Sequence, residues 1–106
     1  MQSIGTLEET ILLLVLIHQG EAYGVSIRDA YVDHAKRGIT IPAIHTVLKR
    51  LEKKGYLKSK MDGATSERGG RRKRLFEVTP NGYHVLQELR NSREQLWSAA
   101  PKLSFN

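Results

Sequence analysis

The side chains in this sequence best equipped for chemistry are its cations. Lys49, Arg50, Lys53, Lys54, Lys58, Lys60, Arg68, Arg71, Arg72, Lys73 and Arg74 fall within 26 consecutive positions, opposed only by Glu52, Asp62 and Glu67. The segment therefore carries +8 in a chain whose total is +6, which leaves the other 80 residues at −2. Ammonium and guanidinium groups at that density neutralise phosphates, so the partner they fit is a polyanion, nucleic acid above all. Gly69 and Gly70 lie inside the tract, where a missing Cβ lets the backbone approach a phosphate closely. A basic run alone is often only a solvated face, and composition alone would also suit a basic RNA-binding protein. The order of the elements has to decide.

Other chemistries are poorly served. With no cysteine among 106 residues, the chain can build no disulfide framework, thiolate metal site or cysteine nucleophile. His18, His34, His45 and His84 share no ligand-like spacing with a carboxylate, so no metal site is expected. No phosphate-binding glycine motif opens a helix, no acid pair sits in an apolar setting, and no nucleophile elbow occurs, so no catalytic residue is named and neither enzyme nor cofactor is expected. The longest apolar run, Ile11 to Ile17, is far short of the ~20 residues that cross a bilayer, and no leader-like segment precedes it. The expected location is the cytoplasm.

The elements that would hold the cations can be read from punctuation and periodicity. Thr6 to Glu9 reads T-L-E-E before an apolar run, the signature of a capping box, and predicts a first helix over about Leu7 to Gln19, ended by Gly20. Its interior is apolar almost all round, which places it at the centre of the domain. A second helix, about Tyr23 to Lys36, sets Ile27, Ala30, Tyr31 and His34 on one stripe and stops at Gly38. Ile39 and Thr40 are extended, and Pro42 opens a third helix that runs to about Lys54 and closes at Gly55. Its apolar stripe is Ile44, Val47, Leu48 and Leu51, with Ala43, His45, Thr46, Lys49, Arg50 and Lys53 on the other faces.

Tyr56 to Met61 alternates as a strand with one wet face. Asp62-Gly63 and Gly69-Gly70 are turn signals flanking a tract with no large apolar residue, which predicts a protruding hairpin tip, and Arg74 to Thr79 returns as a strand. Thr79-Pro80 caps and starts a fourth helix, about Pro80 to Ala99, ended by Pro101. The fold class expected is mainly α with a small β-hairpin, a winged helix-turn-helix in the order α-α-α-β-β-α. Residues 1–79 would form the DNA-binding unit and residues 80–106 a C-terminal dimerisation helix and tail within one compact domain. The third helix and the hairpin of such a fold face the same side, and these are the parts that hold the positive charge.

Four separated motifs also resemble one family. E-A-Y-G-V-S-I (Glu21 to Ile27), I-H-T-V-L-K-R-L-E-K-K-G-Y-L (Ile44 to Leu57), G-G-R-R-K-R (Gly69 to Arg74) and V-T-P-N-G (Val78 to Gly82) occur in the order and spacing of PadR-family transcriptional regulators. The resemblance covers about Leu7 to Leu89 and points to the short branch with a single dimerisation helix and no separate sensor domain. It implies a DNA-binding regulator, usually a repressor, whose C-terminal helix joins two copies and whose ligand, where one exists, loosens the operator complex. His45 departs from the family, which commonly has tyrosine there, so a different sequence preference is expected.

On that pattern His45, Thr46 and Lys49 would contact bases or the phosphates beside them, flanked by Ala43, Arg50 and Lys53. Tyr23 and Ser26, at the start of the second helix, would donate to a phosphate, with core packing the other reading of Tyr23. Arg68, Gly69, Gly70, Arg71, Arg72 and Lys73 would bind backbone from the wing, while Arg74 either joins them or begins the strand. Tyr83, Leu86, Leu89, Arg93 and Leu96 line one face of the fourth helix with Trp97 beside it, a surface that seeks a second copy. Trp97 would either pack that interface or, as in some drug-sensing relatives, stack on a flat aromatic effector. The rival reading is a winged-helix module that binds RNA or protein in an assembly.

Overall fold

Helix α1 (Thr6–Ile17) begins one residue earlier than its sequence signal suggests. Gly5, not Thr6, is the cap, and its N–H donates to Glu8 Oε1 at 3.1 Å. Two glutamates in succession make the motif readable in two registers, and Glu8 is the one that closes the loop. Glu9 is thereby released to bind elsewhere. The computed structural model describes residues 4–62 and 73–106.

After Gly20, which takes a left-handed φ of 91°, α2 (Gly24–Ala35) follows with Tyr23 as its cap. It ends on Lys36, which itself adopts the left-handed conformation (φ 58°), two residues before the Gly38 expected to stop the helix. Of the stripe expected on this helix, Ile27 and Tyr31 are buried, Ala30 is half-buried and His34 is exposed. Helix α3 (Ile41–Lys53) carries Pro42 at its second residue, one later than expected, and that N–H is still one an α-helix leaves unused. The Thr40 hydroxyl accepts the Ala43 N–H at 3.2 Å, and Gly55 (φ 83°) turns the chain away at the far end.

Strands β1 (Leu57–Asp62) and β2 (Lys73–Val78) form one antiparallel pair whose register runs from Leu57 opposite Val78 to Asp62 opposite Lys73. Two-stranded ribbons are marginal alone, and this one is tied to the body at its base. The Phe76 N–H donates to the Ala22 carbonyl at 2.9 Å and the Tyr56 N–H to the Leu51 carbonyl of α3 at 3.0 Å. Residues 63–72, which hold the expected hairpin tip and the wing residues Arg68, Gly69, Gly70, Arg71 and Arg72, lie outside the described residues. Helix α4 (Pro80–Ala99) then runs its full predicted length.

The core is built by α1, α2, α3 and the base of the hairpin: Ile11, Leu12, Val15, Ile27, Ile44, Leu48, Leu51, Leu57 and Phe76 are sealed from solvent. Helix α1 is central, as its composition predicts, but Leu13 and Ile17 are exposed, so part of its apolar surface is left uncovered by its own chain. Helix α4 joins the core only through its first turns, at Val85 and Leu86. From Arg90 onward every residue of α4 is exposed, and the molecule is drawn out to 61 × 34 × 20 Å.

Candidate nucleic-acid interface

The burial of Ile44, Val47, Leu48 and Leu51 fixes the rotation of α3. With that face inward, Thr46, Lys49, Arg50 and Lys53 stand exposed on the opposite one. The Thr46 hydroxyl donates to the Pro42 carbonyl at 3.0 Å, which leaves its oxygen able to accept. Ala43 is half-buried and its N–H belongs to the Thr40 cap.

His45 is placed differently from its sequence assignment. It is half-buried, and its ring lies on Gly24, where a Cβ would come within 2.7 Å of the imidazole Cε1 and 2.8 Å of Nε2. The start of α2 therefore needs glycine because α3 lays a ring across it. In the sequence His45 is simply the second residue of a solvent face, and nothing local reveals the neighbour 21 positions earlier.

Tyr23 and Ser26 are likewise engaged within the protein. The Ser26 hydroxyl accepts the Tyr23 N–H at 2.9 Å and directs its own proton to the Glu21 carbonyl at 2.8 Å, with the Tyr23 carbonyl at 3.0 Å. Its single proton is committed to closing the first turn of α2, so a phosphate donor is not what this geometry makes of it. The Tyr23 hydroxyl donates to Asp62 Oδ2 at 2.8 Å, and Lys73 Nζ lies 5.5 Å from the centre of its ring. The hydrogen bond to Asp62 comes first in raising the Tyr23 phenol above its usual range, helped by partial desolvation and by the negative charges of Asp62 and Glu21. Asp62, legible in the sequence only as a turn residue, is the acceptor that sequence reasoning missed.

Arg74 belongs to the strand: its guanidinium donates to Ser59 Oγ at 3.0 Å, and Ser59 in turn donates to Glu52 Oε2 of α3 at 2.7 Å. Lys54 pairs with Glu8 at 2.9 Å. Burial works to raise the Glu8 carboxyl, but the Lys54 hydrogen bond, the Gly5 N–H and the charges of Lys54 and Arg50 outweigh it, and the group is held below its ordinary value. Between the start of α2, α3 and β2 these groups enclose a cleft of about 550 Å³ lined by Tyr23, Gly24, Val25, Ser26, Asp29, His45, Lys73 and Arg74. Its cations are Lys73 and Arg74 of β2, and α3 contributes His45 to its wall.

On α4 the expected dimer face divides. Leu86 is buried inside its own chain and Leu89 is half-buried, whereas Tyr83 is 48% exposed, Leu96 70% and Trp97 80%. Arg93 is held by Glu9 of α1 at 2.6 Å. Leu103 and Phe105, beyond the helix, are also exposed. The described residues hold no cluster of metal-ligating side chains, and none of their helices is long and apolar enough to cross a membrane.

A model of the PadR-like transcriptional regulator family matches residues 12–91 of the chain. Among solved structures, the chain is similar to a PadR-like transcription factor from Bacteroides fragilis, with a TM-score of 0.71 and 24% identity over 89% of this chain and 85% of that one. It is similar to a PadR-like transcriptional regulator from Bacillus cereus (TM-score 0.69, 22% identity, 89% of this chain and 86% of that one). A PadR family regulator from Eggerthella lenta also matches (TM-score 0.64, 24% identity, 83% and 74%). No curated protein matches. At these identities the structures bear on the fold, and they share the winged helix described above.

Proposed function

The chain belongs to the PadR-like family of transcriptional regulators, and from that membership we propose that it is a homodimeric repressor that binds a palindromic operator in double-stranded DNA. Residues 1–79 read the duplex and residues 80–106 join two copies, acting on cytoplasmic DNA without catalysis. The observation that carries this reading is the contrast between the two uncovered faces: Thr46, Lys49, Arg50 and Lys53 on α3, against Leu96 and Trp97 on α4. Helix α3 enters the major groove, the basic tract from Arg68 to Lys73 follows the neighbouring backbone, and the second copy places its own α3 about 34 Å away. Thr46 and Lys49 read base edges; Arg50 and Lys53 neutralise phosphates.

An aromatic effector is the second element of the proposal. Trp97 offers a flat indole to a planar ligand held between the two copies. Such a ligand loosens the operator complex only by its difference in affinity between the DNA-competent and incompetent arrangements.

The test is a fluorescence-anisotropy titration at several salt concentrations with the duplex upstream of the protein's own gene, a scrambled duplex and an RNA of equal length. The proposal expects tighter binding to the native duplex, two chains per site, and a salt slope that falls by roughly 0.9 for each phosphate contact removed by Lys53→Ala, Arg71→Ala or Arg72→Ala. Equal binding to all three would leave a general polyanion surface, and preference for RNA by single chains would favour an assembly module.

A further inference from the structure

We propose that Tyr23 is a positioning residue, which sets the angle of the hairpin against α3 by gripping the outermost described pair of the ribbon, Asp62 and Lys73. The inference rests on the DNA-binding reading and deepens it, assigning Tyr23 to the wing instead of to phosphate.

Tyr23 is itself well fixed. It caps α2 in an extended conformation (φ −106°, ψ 162°), and its N–H is held by Ser26 Oγ. The next residue, Gly24, carries the imidazole of His45. The Tyr23-Gly24 pair thus touches α3 on one side and the hairpin on the other. Across the ribbon, Asp62 and Lys73 are direct partners, and the phenol engages both, one through its hydroxyl and the other through its ring.

The lever arm explains why this contact matters. The backbone ties to the body are at Phe76 and Tyr56, and Lys73 lies three residues beyond Phe76, about 10 Å further out at the usual strand rise. A two-stranded ribbon held only at its base pivots easily. A grip about 10 Å out restrains it, and the basic tract that joins β1 to β2 begins where that grip ends.

The sign of one substitution separates positioning from direct contact. Asp62 is a negative charge within the most basic part of the chain. If the Tyr23 hydroxyl served a phosphate, removing Asp62 would free the hydroxyl and relieve repulsion, so Asp62→Ala would tighten DNA binding. If Tyr23 acts through Asp62, Asp62→Ala weakens binding as Tyr23→Phe does. Asp62→Asn, which keeps an acceptor and drops the charge, rescues it.

The experiment combines operator titration with amide hydrogen exchange on the free protein. Expected are losses of affinity of about fivefold for Tyr23→Phe and for Asp62→Ala, no further loss in the double variant, and near-normal binding by Asp62→Asn. The penalty of Arg71→Ala/Arg72→Ala shrinks in the Tyr23→Phe background, because a misplaced tract has less to lose. Exchange at Asp62, Lys73 and Leu75, whose N–H groups face across the ribbon, is faster in Tyr23→Phe and Asp62→Ala and unchanged in Asp62→Asn, a readout that needs no DNA and also reports whether each variant is folded. Tighter binding by Asp62→Ala, additive losses, or unchanged exchange in Tyr23→Phe would overturn the proposal. Faster exchange in Tyr23→Phe and Asp62→Ala, with a wild type that prefers no duplex, would instead keep the grip and remove the DNA-binding reading beneath it.

Discussion

Helices α3 and α4 begin alike and end in opposite ways. Each is opened by a threonine whose hydroxyl accepts an N–H three residues on, from Ala43 in one case and Gly82 in the other, and each carries proline in its first turn. In α3 every large apolar side chain after Pro42 is buried and the remaining face is polar or cationic. In α4 the apolar pattern continues past the point where the core stops, so that Val85 and Leu86 are inside while Leu96 and Trp97 stand in solvent. A polar outer face suits water and phosphate; an apolar one is costly to leave uncovered and marks contact with another protein surface. The difference thus lies beyond the local signals that start each helix.

The sharpest way to break this contrast is to shorten a leucine in each helix. Leu51→Ala should destabilise the fold by roughly 2–5 kcal/mol at any protein concentration. Leu96→Ala should leave the dilute chain within about 0.5 kcal/mol of wild type. Denaturant titrations at two protein concentrations read both, because a shared interface makes stability concentration-dependent and its loss removes that dependence.

Gly82→Ala probes the other half of α4. A Cβ there would collide with the backbone carbonyl of Tyr56, which cannot rotate away as a side chain would. A loss of about 3 kcal/mol is expected, seen as a fall in Tm, and it would place the first turn of α4 within the body as firmly as α3.

The matched caps allow a finer comparison. Thr40→Ala should cost about 1 kcal/mol. Thr79→Ala should cost more, about 2 kcal/mol, because the Thr79 hydroxyl also donates to the Gly55 carbonyl at 2.6 Å. Serine at position 79 should restore most of the loss in a melting experiment.

The smallest effect concerns the link between the two helices. Neighbouring carboxylates of α1 hold one cation each: Glu8 takes Lys54 at the end of α3, and Glu9 takes Arg93 of α4. The Glu8 carboxyl lies below its ordinary value of 4.5 when folded, so its contribution is complete above that pH and is lost as pH falls through the lowered folded value. Glu8→Gln should therefore cost about 1 kcal/mol near neutrality and flatten the acid limb of a stability-against-pH curve below about pH 4.5.

Much of this fold is legible in the sequence where punctuation is unambiguous. Thr79-Pro80 and Pro101 bracket α4, Gly55 closes α3, and the 3.6-residue period assigns the buried face of α3 residue by residue. Legibility fails where two readings are locally equivalent. Glu8 and Glu9 each complete a capping pattern, and Lys36 takes a conformation for which Gly38 is the more obvious candidate. It fails more deeply at the candidate site, because Tyr23 is 39 positions from Asp62 and His45 is 21 from Gly24. Hydroxyls and rings are free to reach phosphate only if the fold gives them no closer partner, and that depends on packing rather than on spacing. The split of α4 is hidden for the same reason: Leu96 and Trp97 resume the apolar pattern after the polar stretch from Arg90 to Gln95, and only the extent of the other elements determines where burial ends.

The most direct test of the division between a DNA face and a self-association face is sedimentation equilibrium of the wild type and of Leu96→Ser/Trp97→Ser, each alone and with the operator duplex. The account predicts that the wild type sediments at twice the chain mass and loads two chains on each duplex, whereas the variant is a folded monomer with greatly weakened operator binding despite an intact α3. A variant that remains dimeric, or a wild type that binds the operator as a single chain with undiminished affinity, would contradict it.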